Sequence, residues 1–126
     1  AADKRAAADR AAAAKAAAER ERQKLPVDLT NAQLAAVTDS ASAQEQKRKC
    51  WEKIVLRKDP KASANITMEL RIHGDSGRVT KSKVIRRTLN DKRFDACLDK
   101  VVKRWRFPRF RGADVLLNHV MEFRSN

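Results

Sequence analysis

"ANITMELRIHGDSGRVTKSKVIRRTL", residues 64–89, decides the fold. Ile66, Met68, Leu70 and Ile72 alternate with Thr67, Glu69 and Arg71, a period of two with one apolar face, which predicts a half-buried strand. "HGDSG" then supplies glycine at 74 and 77 for a turn, so the stretch reads as a β-hairpin. Val79 and Val84 are five residues apart and fall on opposite faces unless a bulge intervenes. The second strand is polar and strongly basic, as an edge or half-exposed strand would be.

Helical signals flank the hairpin. Asn90 or Asp91 caps a helix running to about Trp105, with Phe94, Cys97, Leu98, Val101, Val102 and Trp105 at spacings of three and four. Upstream, Asp28 or Thr30 caps a helix carrying Leu34, Val37 and Ala41, then Cys50, Trp51, Ile54 and Val55. The weak stretch "DSASAQEQ" predicts a break near Ser40, and Asp59-Pro60 ends the helix. A last strand follows Gly112. Val115, Leu117, His119, Met121 and Phe123 share one face, and Asp114, Leu116, Asn118, Val120 and Glu122 share the other. Leu116 and Val120 make that second face more apolar than a plain surface needs.

The first 24 residues differ in kind. They hold no apolar side chain larger than alanine, and 12 of the first 20 residues are alanine. The composition favours helix, yet nothing on it can build a core, so it reads as a solvated spacer about 36 Å long. Residues 1–25 are therefore expected to be a spacer and 26–126 a single folded domain. The expected class is α+β: a small three-stranded antiparallel sheet packed on two helices, in the order α-β-β-α-β, after an Ala-rich exposed helix.

The formal net charge of +13 favours anionic partners: nucleic acid, a membrane surface, an acidic polymer or an acidic protein. Residues 78–93 hold seven cations against one acid, and residues 100–111 hold six against none. Arg78, Lys81, Lys83, Arg86, Arg87, Arg104, Arg106, Arg109 and Arg111 make a candidate basic docking face, which would speed encounter and make it salt-sensitive. No apolar run reaches membrane-spanning length and no signal-peptide pattern is present, so direct insertion by this segment is not expected.

"KRWRFPRFRG", residues 103–112, interleaves those cations with Trp105, Phe107 and Phe110. A single-stranded nucleic acid site would use such a pattern, with ring faces for stacked bases. Trp105, however, continues the apolar stripe of its helix at the i+4 step, and Phe107 lies just past the helix end, where apolar residues fold back. The rings are thus expected inside and the arginines outside. Nucleic acid binding is left with charge alone, without a recognised motif.

Catalysis and cofactors are not expected. His73, His119, Cys50 and Cys97 are spaced by 22 to 24 residues and lack the short pairs of zinc sites. No nucleophile–base pairing or Gly-rich phosphate loop appears. The two cysteines read either as buried thiols or as one disulfide, worth about 4 kcal/mol on the chain-entropy model.

"DLTNAQLAAV" (28–37), "KCWEKIV" (49–55), "GRV" (77–79), "RRTLND" (86–91), "FDACLDKVVKRWRFPRFRGADV" (94–115) and a closing strand ending in "EF" (122–123) together resemble the TonB/TolA C-terminal domain superfamily. The likeness is nearest to the AgmX/PglI-type C-terminal domain of myxobacterial envelope proteins and covers residues 28–124. Trp51 stands where that family usually has tyrosine. The resemblance implies a non-catalytic, periplasmic energy-transducer module, tethered to the inner membrane by a segment outside this chain. It implies an outer-membrane or periplasmic protein partner, and a proton-driven inner-membrane motor serving motility or envelope transport. It also implies a Cys50–Cys97 disulfide pinning the first domain helix onto the second. The partner would be recruited beside the last strand, at Asp114, Leu116, Asn118, Val120 and Glu122, by β-strand addition. The competing readings are a basic nucleic-acid-binding module and an anchor to an anionic cell-wall polymer.

Overall fold

A computed structural model describes residues 2–125, with side chains from Arg5 onward. Ala1 and Asn126, the outer limits of the two expected segments, lie outside the described residues. Helix α1 covers Ala2–Gln23, and every side chain from Arg5 to Lys24 is exposed. Short helix α2 (Asn31–Thr38) begins at Thr30, which forms a reciprocal capping box with Gln33. Ser40 marks the expected break. Its hydroxyl accepts from Ala43 N and starts α3 (Ala41–Cys50), which continues as a π-helical segment, Trp51–Leu56.

Strands β1 (Ala64–Ile72) and β2 (Val79–Arg87) form the hairpin. Helix α4 (Lys92–Lys103) is capped by Asp91, which accepts from Arg93 N and Phe94 N. It stops two residues short of Trp105. Strand β3 (Val115–Phe123) closes the order. The sheet is antiparallel with strand order β2-β1-β3, so the α+β class and the element order agree with the sequence reading.

Two irregularities set which β2 residues face the core. Ile72 pairs with Val79 but Arg71 with Lys81, leaving Thr80 as an extra residue; Met68 pairs with Val84 but Thr67 with Arg86, leaving Ile85 extra. The first bulge returns Val84 to the face of Val79, which resolves the odd spacing. Ile66, Met68, Leu70 and Ile72 of β1 are fully buried with Phe94, Leu98 and Val102 of α4. Trp51 joins Phe94 and Phe123 in an aromatic triad with ring centroids 5.0 to 5.5 Å apart. Cys50 and Cys97 form a disulfide, Cα atoms 5.9 Å apart, joining α3 to α4.

Trp105, Phe107 and Phe110 are 5%, 4% and 0% exposed, so the rings are core and offer no free faces. Their segment crosses the β1–β2 turn: Phe107 N donates to Gly77 O and Phe110 N to Gly74 O. Gly77 has φ +68°, and a Cβ there would collide with Phe107 O. The same segment holds the linker from α1, since Arg111 N donates to Pro26 O and Gly112 N to Val27 O, each at 2.8 Å.

Candidate partner-binding edge and basic faces

Strand β3 pairs on one side only, with β1, from Ala64↔Phe123 to Ile72↔Val115. Among the described residues no strand pairs with its other edge. Alternation follows the expected parity: Met121 and Phe123 are buried, Val115, Leu117 and His119 half-buried, and Leu116, Asn118, Val120 and Glu122 exposed. Leu116 and Val120 are 57% and 60% exposed, unusual for residues of that size. Asp114 precedes the strand and is bound to His73, with Nδ1 and Oδ1 3.0 Å apart.

A groove of about 520 Å³ runs along β3 against α3 and the π-helical segment. His119, Val120 and Glu122 line one wall, and Gln44, Lys47, Trp51 and Leu56 the other. Trp51 is fixed by its indole N–H, which donates to Arg124 O.

Lys47 lines this groove and is 6% exposed. Its ammonium donates to Thr38 O at 3.1 Å and meets His119 Nε2 at 3.1 Å. An ammonium has only donors, so Nε2 must accept and the imidazole proton sits on Nδ1. Burial, then the neighbouring Lys47 charge, push the His119 pKa down to about 4, against a weaker pull from Asp39. Burial likewise lowers Lys47, with Asp39 opposing. Trp105 covers the pair: its ring is 5.7 Å from His119, edge to face, and its centroid 5.8 Å from Lys47 Nζ. Sequence reasoning placed His119 on the same face as Leu117 and Met121 but missed Lys47, which reads there as one more surface charge of "QEQKRK".

The nine expected basic residues do not share one surface. Lys81, Lys83 and Arg86 lie on the outer sheet face, opposite Arg71, Glu69 and Thr67 of β1. Arg78 and Arg106 stand side by side in an isolated bridge just before β2. Arg87 departs from the rest. The bulge at Ile85 pairs it with inward-facing Ile66, and its guanidinium reaches Asp95 of α4 at 2.6 Å and Asn90 at 3.1 Å. Arg104 caps the end of α4, Arg109 donates to Asp75 O, and Arg111 lies on the segment that holds the linker. Arg71, absent from the expected set, belongs to the outer face by its pairing with Lys81.

Among the described residues, no helix is long and apolar enough to cross a membrane. The two cysteines are spent in the disulfide and hold no free thiol for a metal. No known family profile, no curated protein and no solved structure matches this chain.

Proposed function

We propose that this chain is the terminal module of a TonB/TolA-like energy transducer, non-catalytic and periplasmic. It grips an outer-membrane or periplasmic protein, and an inner-membrane proton-driven motor pulls on it through the α1 spacer. The observation that carries the reading is the open β3 edge with a groove beside it. An extended segment entering that groove finds a row of unpaired backbone groups, and the α3 wall gives its side chains a surface. The resemblance in residues 28–124 supports the same reading, and so does the exposed spacer.

The nucleic-acid reading keeps the charge but has no ring faces for bases, since Trp51, Trp105, Phe107 and Phe110 are all buried. Anchoring to a cell-wall polymer would use the cations and leave the β3 edge unexplained.

A photo-crosslinker at Asn118, applied in intact envelopes, tests the proposal. Capture of one envelope protein, lost when a β3-sequence peptide competes, is the expected result. Capture of polysaccharide or nucleic acid, or of nothing, would reject it.

A further inference from the structure

We propose that the outer face of the sheet, which shares only Val120 and Glu122 with the groove wall, is a docking surface for an anionic lipid bilayer. Helices cover one side of the sheet; on the other, Arg71, Lys81, Lys83, Arg86, Leu116 and Val120 are exposed. There Arg71 stands directly opposite Lys81, a like-charge pair that destabilises an antiparallel ladder. Among the described residues no carboxylate lies within ion-pair distance of Arg71, Lys81 or Arg86. The acids of this side are already engaged: Glu69 with Lys83 at 3.6 Å, Asp114 with His73, and Glu122 with Arg124 at 3.5 Å. The unpaired excess is therefore cationic, and an anion laid over Arg71 and Lys81 relieves their repulsion.

The second half of the argument is apolar. Arg71 pairs on its other side with Leu116, and Val120 lies two pairs further along the same face. Cations along β1 and β2 thus adjoin exposed aliphatic groups on β3. A phosphate-rich bilayer surface meets both, with headgroups for the cations and the acyl boundary for Leu116 and Val120. A polynucleotide meets only the first, and the face has no exposed ring. An acidic protein meets the charge, and the experiment separates it.

The full chain is sedimented with vesicles of phosphatidylcholine alone, and with vesicles containing phosphatidylglycerol. Retention on the anionic vesicles only, abolished by high salt, is expected. Arg71→Gln with Lys81→Gln removes two surface cations and weakens partitioning about thirtyfold. Leu116→Ser with Val120→Ser weakens it several-fold. Lys49→Gln with Lys53→Gln, the same charge change on the helical layer, leaves it nearly unchanged. Circular dichroism confirms that each variant is folded. Equal retention on neutral vesicles, equal loss in the helical-layer variant, or release by a short DNA duplex or an acidic peptide at matched charge would overturn the proposal. Loss of groove cross-linking with vesicle binding intact would instead count against the transducer reading alone.

Discussion

Lys47 Nζ lies 3.1 Å from His119 Nε2, so a buried ammonium leans on an imidazole that accepts only while neutral. The folded pKa of about 4 lies below the ordinary histidine value near 6.5. Above the higher value both states are neutral and this contribution to stability is complete. As pH falls below about 6.5 the unfolded chain binds the proton first, so stability declines down to pH about 4 and levels off beneath it. Because His119 is only partly buried, the loss is on the order of 1–2 kcal/mol, not the full shift. Urea denaturation across this range measures the slope, and His119→Phe is expected to flatten it. An unchanged slope in that variant would remove the pair as its source.

Arg86 and Arg87 are neighbours with opposite fates. Arg87→Ala strands Asp95, whose Oδ1 is buried and already lacks a partner, and is expected to cost about 1–3 kcal/mol. Arg86→Ala, on the open face, stays within about 0.5 kcal/mol of the parent. Thermal melts of the two variants decide it.

The same contrast holds within β3. Met121→Ala empties core volume and is expected to cost about 2–5 kcal/mol, whereas Val120→Ser is near neutral because its side chain is exposed. Equal losses would mean that the strand does not sit in this register.

Gly77→Ala is expected to destabilise by more than about 1 kcal/mol, since its φ is positive and Phe107 O closes the space above it. The effect reads as a lower melting temperature, with near-ultraviolet circular dichroism reporting loosening around Trp105.

Much of the architecture could be read before any coordinates. The β1 alternation, the α4 stripe through Trp105 and the parity of β3 are each dictated by period, and the core chose the expected faces. Val79 and Val84 show the limit: their spacing announces that a bulge is needed, but only pairing with β1 reveals that Thr80 supplies it. The basic face dissolved for the same reason. Charge-dense runs gathered Arg87 with Arg86 and overlooked Arg71, because neither cross-strand register nor the Asp95 carboxylate is written in local sequence. Lys47 escaped notice entirely. Its acceptors, Thr38 O and His119, come from a helix end and a strand far along the chain.

The disulfide encloses residues 50–97, a covalent ring containing both arms of the hairpin and the start of α4. β3 lies outside it. The ring can breathe but cannot open, while the third strand is held to its neighbour by backbone hydrogen bonds and side-chain packing alone. Reversible detachment of a strand, and any trade of strands with another chain, should therefore start at the C-terminal strand, because the ring keeps the two hairpin arms on one closed loop.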